Sequence, residues 1–185
     1  DFSLMIHLRM TGQLIYDDNQ KNTSTGLTQF KNRYAAGHPS ENFTAKLPNR
    51  QTRVIIELEN GILYFNDQRK FGFIKVIKTS EVENDAFIKK LAKEPWEITT
   101  KELFEKLQKH PKSCIKATLL DQSIICGLGN IYVDEALFAA KIHPKRKSST
   151  ITEEETRKII KAAQNIMQKS IDSGGSTMAT YVKAD

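Results

Sequence analysis

At 185 residues the chain can bury a real core, and its composition shifts partway along, so two small domains fit it better than one. Lysine and arginine number 28 against 22 acidic residues, a formal net charge of +6 that favours polyanionic partners without naming one. Only Cys114 and Cys126 are present, with no CxxC pair and no Cys/His cluster at ligand spacing, no apolar run of membrane-span length and no signal-peptide succession; this excludes a disulfide framework, a zinc site or other cofactor within the sequence, and a membrane partner, and makes the cytoplasm the expected compartment.

The chain opens at Asp1 and runs straight into SLMIHLRM, which reads as the interior of a strand cut from a longer chain. Leu4, Ile6, Leu8 and Met10 fall on one face and Met5, His7 and Arg9 on the other, so period two predicts a half-buried strand with Met10 on its apolar face, turned by Thr11-Gly12. From Asp17 to Arg50 the sequence is polar and reads as a long loop with a little order. Thr52 to Leu58 and Ile62 to Asn66, joined by Glu59-Asn60-Gly61, predict an antiparallel hairpin, and Phe73 to Lys78 is expected to continue that sheet.

After Glu94-Pro95-Trp96 the period becomes helical, with Thr99 and Glu102 spaced as a capping box before Leu103, Phe104 and Leu107. The boundary is therefore set between residues 94 and 95. Helices are predicted from Ser113 to Ser123, from Asn130 to Ala140 with Ile131, Leu137 and Phe138 directed to the core, and from Glu153 to Asp172, capped by Thr152 and Glu155 and closed by Gly174-Gly175. In the last of these, Ile159, Ile160, Ala163, Ile166, Met167 and Ile171 form a core stripe. The fold class is α+β, an antiparallel β-sheet domain over 1–94 followed by a mostly helical domain over 95–185. Both cysteines are expected to be buried thiols.

Two stretches carry candidate chemistry. The Gly127-Leu128-Gly129-Asn130 turn lies between two helical stretches; its glycines let backbone approach a ligand closely, and Asn130 opens a helix whose first N–H groups lack partners, a combination that suits a phosphate. Asp121, Asp134 and Glu135 are acids that a packing turn does not require. The second stretch, Asn66 to Gly72, offers Arg69, Lys70, Phe71 and a glycine just past a strand: an orphaned base can pair with Arg69, a base step can be wedged by Phe71, and a phosphate can be held by Lys70. Read from residues alone, a lone Gly-x-Gly favours an ordinary helix-to-helix turn, which the neighbouring acids weigh against, and the second stretch favours a sheet-end loop bearing solvated cations and a core Phe.

Residues 119–144, LLDQSIICGLGNIYVDEALFAAKIHP, resemble the helix-two-turn-helix of the formamidopyrimidine-DNA glycosylase and endonuclease VIII family, and HLRMTG (7–12) and NDQRKFG (66–72) resemble two further motifs of that family in the same order. The resemblance implies a partial β-sandwich glycosylase domain with a DNA-wedge loop, then a helix-two-turn-helix domain, in a monomer acting on damaged double-stranded DNA. The implied activity is base-excision repair of oxidised purines, 8-oxoguanine and formamidopyrimidine, by a glycosylase with abasic-site lyase activity. It implies that Met10, Arg69 and Phe71 fill the space left by an everted nucleotide, that Lys112 and Lys116 join Gly129 and Asn130 near the DNA backbone, and that Asp121 and Glu135 orient backbone groups or support the active site. Gly174 to Tyr181, with Ser176, Thr177 and Tyr181, resembles the loop that covers the extruded base.

The family's N-terminal Pro-Glu nucleophile, its early-strand lysine and the four cysteines of its C-terminal zinc finger do not occur in the sequence, and Gln51 stands where many relatives place a DNA-contacting His. The expectation is a fragment that binds damaged DNA and contains no catalytic residue of its own. A non-catalytic helix-two-turn-helix nucleic-acid-binding module is the alternative.

Overall fold

The structure is a computed structural model that describes residues 1–18, 33–37 and 45–173. The expected helix stop at Gly174-Gly175 and the loop with Ser176, Thr177 and Tyr181 lie outside the described residues. The chain divides into two compact units, Asp1–Val82 and Glu83–Asp185. Residues 83–94 group with the helical unit because backbone bonds tie them there: Ala92 N–H donates to the Gln122 carbonyl (2.8 Å) and Cys126 N–H to the Lys93 carbonyl (3.0 Å).

The first unit holds β1 (Phe2–His7), β2 (Gly12–Asp17), β3 (Arg33–Gly37), β4 (Thr52–Leu58), β5 (Gly61–Asp67) and β6 (Phe73–Lys78). They form two antiparallel sheets, one in the order β3-β2-β5-β4 and one pairing β1 with β6. The hairpin from β4 to β5 is as expected, with Leu58 opposite Gly61 across a two-residue turn. In contrast, β6 leaves the hairpin's sheet, because the loop after Asp67 redirects the chain, and it pairs with β1 from Phe2↔Lys78 to His7↔Phe73.

Two further expectations are corrected. The first strand ends at His7, since Gly12 N–H donates to the Leu8 carbonyl (2.8 Å) and Arg9 adopts φ 52°. That one left-handed residue breaks the alternation, so Met10 lies at a turn tip and is 67% exposed instead of on an apolar face. Within the supposed loop, β3 pairs with β2 from Gln13↔Gly37 to Asp17↔Arg33, held by the Arg33–Asp17 ion pair (2.7 Å), by Arg33 donating to the Ala45 carbonyl (2.8 Å) and by stacked Tyr16 and Tyr34 rings (6.3 Å).

The helical unit contains α1 (Thr100–Gln108), α2 (Ile115–Leu119), α3 (Asn130–Ala139) and α4 (Glu153–Asp172). Both predicted capping boxes are present, at Thr99 with Glu102 and at Thr152 with Glu155. α2 is shorter than expected: the Asp121 carboxylate accepts from Ser123 N–H (2.9 Å) and Oγ–H (2.7 Å), a local bond that competes with continued helix. On α3 the core face is Val133, Ala136 and Leu137, while Ile131 and Phe138 are exposed, Phe138 at 83%. Leu137 was assigned to the core correctly; Phe138 follows it by one residue, about 100° around the helix, and so points away. On α4 Ile159, Ile160 and Ala163 are buried, Ile166 and Met167 pack beside them, and the stripe ends with Ile171 exposed. Both cysteines are half-buried rather than enclosed, and burial, followed by the Glu94 charge, pushes the Cys126 thiol up.

The capping-box carboxylates also set a pH dependence. The Glu155 pKa is held at about 2, against an ordinary 4.5, chiefly by the Arg146 guanidinium and then by Thr152 N–H, and Glu102 is held at about 2 chiefly by Lys93 and then by Thr99. A carboxyl whose folded pKa is depressed contributes stability that is complete above its unfolded pKa and is lost as pH falls towards the folded value. The thermal midpoint of the helical unit is therefore expected to hold above about pH 5 and to drop between about pH 4.5 and 2. In Glu155→Gln that acid limb shrinks, leaving the parts due to Glu102 and Asp121; thermal melts across the range read both, and an unchanged limb in the variant contradicts the assignment.

Candidate nucleic-acid interface

β2 and β5 are neighbours with Gly12 opposite Asp67, so the turn that precedes β2 and the loop that follows β5 emerge side by side. This register joins residues 59 apart in sequence: Arg69 Nη1 lies 3.2 Å from Met10 Sδ, and the guanidinium carbon sits 4.8 Å from the centre of the Phe71 ring. Phe71 is 59% exposed, so a thioether, a guanidinium and an aromatic ring form one solvent-facing cluster instead of core. An exposed apolar cluster around a cation is chemically suited to stack in a base step while paired to a base edge.

The backbone beneath the cluster is closely specified. Lys70, exposed, takes φ 59°, a conformation costing about 1–2 kcal/mol for a residue with a Cβ. A Cβ on Gly72 would lie 2.8 Å from the Phe65 ring and 2.9 Å from the His7 carbonyl, so only glycine lets the loop pass there. Burial alone would raise the Asp67 carboxyl, but donation from Thr11 Oγ1–H and from the Gly72, Arg69 and Lys70 N–H groups outweighs it and holds Asp67 below the ordinary carboxylate value. Burial, followed by the Arg9 charge, lowers His7, whose Nδ1 accepts from Arg9 N–H (3.1 Å). Neither Asp67 nor Thr11 was singled out in the sequence; the available signal was an Asp immediately before a loop, where its side chain can collect the loop's N–H groups.

On the helical unit the tight bend belongs to Gly127, at φ 84°, not to Gly129. Gln122, also not anticipated, staples the turn: its Oε1 accepts from Gly127 N–H (2.9 Å) and its Nε2 donates to the Leu128 carbonyl (2.9 Å). Leu128 is fully buried. Gly129 is the N-cap of α3 in extended backbone (φ −91°, ψ 179°), and a Cβ there would meet nothing within 4 Å, so the protein's own packing does not call for glycine. The N–H groups of the first turn of α3, beginning at exposed Asn130, have no helical acceptors. Val133 N–H makes the first helical bond, to the Gly129 carbonyl (2.9 Å).

Beside this turn Lys116 on α2 pairs with Asp134 on α3 (2.8 Å), and Lys112 is exposed in the preceding loop. Asp121 is committed to Ser123, whose hydroxyl and then N–H lower its pKa. Glu135 lines an open, mostly apolar cavity of about 820 Å³ with Phe138, Ile142 and Pro144. Among the described residues no group of three His, Cys, Asp or Glu side chains is placed to hold a metal, and no helix is long and apolar enough to cross a membrane. Met10, Arg69 and Phe71 thus meet on one unit, with Lys70 in the same loop; on the other, Lys116 pairs with Asp134 in the helix that Gly129 caps and Asn130 opens.

An antiparallel-sheet unit with a cationic, aromatic loop, followed by a helical unit built on a glycine turn, defines a two-domain helix-two-turn-helix protein. Residues 1–74 match the formamidopyrimidine-DNA glycosylase N-terminal domain and residues 91–182 match the formamidopyrimidine-DNA glycosylase H2TH domain. The chain belongs to the formamidopyrimidine-DNA glycosylase family. It is 36% identical to the formamidopyrimidine-DNA glycosylase of Pelotomaculum thermopropionicum over 98% of this chain and 57% of that protein, and 42% identical to that of Streptococcus agalactiae over 77% of this chain and 53% of that protein. Among solved structures it is similar to Lactococcus lactis Fpg in complex with DNA containing an abasic site (TM-score 0.75, 31% identity, 96% of this chain and 57% of that one). It is equally similar to MutM in complex with DNA containing carbocyclic 8-oxo-G (TM-score 0.75, 31% identity, 97% and 59%). The chain therefore spans a little over half the length of the curated relatives it matches.

Proposed function

We propose that this chain recognises lesions in double-stranded DNA, and that it is the lesion-probing part of a base-excision repair glycosylase with abasic-site lyase activity on oxidised purines. The observation that carries this reading is the exposed Met10–Arg69–Phe71 cluster, assembled by strand register from two loops. Eversion of a nucleotide leaves a hole in the stack and an unpaired base; a thioether and an aromatic ring fill the first, and a guanidinium pairs with the second. Lys70, Lys112, Lys116 and the N–H groups at Gly129 and Asn130 supply the phosphate contacts, and the lesion-containing DNA bound in the Lactococcus lactis Fpg and MutM structures supports DNA as the partner. Binding to a duplex carrying an abasic-site analogue is expected to exceed binding to the intact duplex and to weaken linearly in log affinity with log salt. Equal affinity for the two duplexes overturns the lesion-directed reading.

The polypeptide of these 185 residues is expected to bind without cleaving. The one α-amine is that of Asp1, whose carbonyl accepts from Thr79 N–H (3.2 Å) at the start of β1. Strands rise about 3.3 Å per residue, which puts that amine roughly 20 Å from the strand end where the Met10 turn begins. Borohydride treatment with abasic DNA is expected to trap no covalent adduct at Asp1, since that α-amine lies too far from the wedge to form a Schiff base there. An adduct mapping to Asp1 would contradict this geometry.

A further inference from the structure

The wedge side chains sit on two separate loops. Past the last strand pair, Gly12 with Asp67, the Asp67 carboxylate bonds to both of those loops. Thr11, next to Met10, donates its hydroxyl proton to Asp67 Oδ1. Arg69 N–H donates both to Asp67 Oδ1 (3.2 Å) and to Thr11 Oγ1 (3.2 Å), and Gly72 N–H, at the far end of the loop, donates to Asp67 Oδ2 (2.8 Å). Asp67 is 1% exposed, so its carboxylate meets these donors rather than water, and altering it leaves them without that acceptor. The close passage of Gly72 against the Phe65 ring and the His7 carbonyl blocks retreat of the loop towards the sheet.

We propose that Asp67 is the positioning residue of the wedge: by gripping Thr11 from one loop and Arg69 and Gly72 from the other, its carboxylate fixes Met10 relative to Arg69 and Phe71. Discrimination of damaged from intact duplex then depends on Asp67 and Thr11, while general affinity for DNA, supplied by phosphate contacts, does not. A carboxylate is required because both oxygens accept; an amide at the same place accepts on one atom only and turns donors towards the donors of the other side. This inference rests on the wedge reading given above.

The test uses the 185-residue chain with Asp67→Asn, Thr11→Val, Thr11→Ser and Phe71→Ala, read by the affinity ratio of abasic to intact duplex and by fluorescence of 2-aminopurine placed beside the lesion. Asp67→Asn and Thr11→Val are expected to lower the affinity ratio about tenfold and to abolish the fluorescence rise, with intact-duplex affinity falling far less, by at most the single phosphate contact of Lys70. Thr11→Ser, which keeps the hydroxyl, restores both readouts. Phe71→Ala added to Thr11→Val lowers the ratio no further, because both remove one and the same wedge; losses that multiply mean that the two act separately and overturn the proposal. Should Asp67→Asn fail to fold, the valine and serine variants of Thr11 decide: wild-type discrimination in folded Thr11→Val overturns the role of Asp67. If Phe71→Ala alone leaves the ratio unchanged, the wedge reading itself is what fails.

Discussion

Phe71→Ala is expected to lower affinity for a lesion-bearing duplex by about 5- to 150-fold, the range given by about 1–3 kcal/mol for stacking one aromatic ring on a base. The fold is expected to survive, because the ring is 59% exposed and its described partner is the Arg69 guanidinium above its face. Surface substitutions of this kind change stability by about 0.5 kcal/mol or less. Affinity for intact duplex is expected to change far less, since phosphate contacts there need no ring. Met10→Ala acts in the same direction with a smaller effect, because a thioether offers less stacking surface than a ring. Fluorescence anisotropy with matched intact and abasic duplexes measures both ratios. If neither substitution shifts the preference for damaged DNA, the cluster is no wedge and the chain is a non-catalytic binding module.

What the sequence revealed and what it hid follow from the range of the interactions involved. The β4–β5 hairpin and the capping boxes at Thr99 and Thr152 were legible because each is written in residues four or fewer apart. The β3 strand was not, since an exposed edge strand has no apolar alternation, and its place is set by Tyr16, Asp17 and Ala45 reached across the sheet and a loop. Arg9 shows the converse failure: one left-handed residue inside an alternating run moved Met10 from a presumed core face to an exposed tip. For the candidate site, the chemical types at Arg69, Lys70 and Phe71 were readable, but their meeting with Met10 depends on the Gly12↔Asp67 register, which no local pattern encodes. Asp67, Thr11 and Gln122 escaped notice for a related reason, as each acts by collecting backbone or hydroxyl groups from loops whose shape only the fold defines.

Adjacent residues of the glycine turn separate stability from binding. Leu128→Ala, at a fully buried position in the helical core, is expected to destabilise that unit by about 2–5 kcal/mol, a large share of the about 5–15 kcal/mol typical of a whole domain. Its DNA binding should fall with unfolding and recover on modest cooling. Gly129→Ala is expected to do the opposite. Its backbone is extended and a methyl group there meets no protein atom within 4 Å, so the melting midpoint should move little, by no more than about 1 kcal/mol for an N-cap change. That methyl group nonetheless stands at the mouth of the unpaired first-turn N–H groups of α3, where a phosphate must approach closely to use them. Affinity is expected to drop about tenfold for damaged and intact duplex alike, with a salt slope shallower by about one, the loss of one phosphate contact. A folded Gly129→Ala that binds both duplexes like the parent chain removes the phosphate role of this turn and leaves Gly127, whose φ of 84° no larger residue adopts easily, as the one glycine the turn requires.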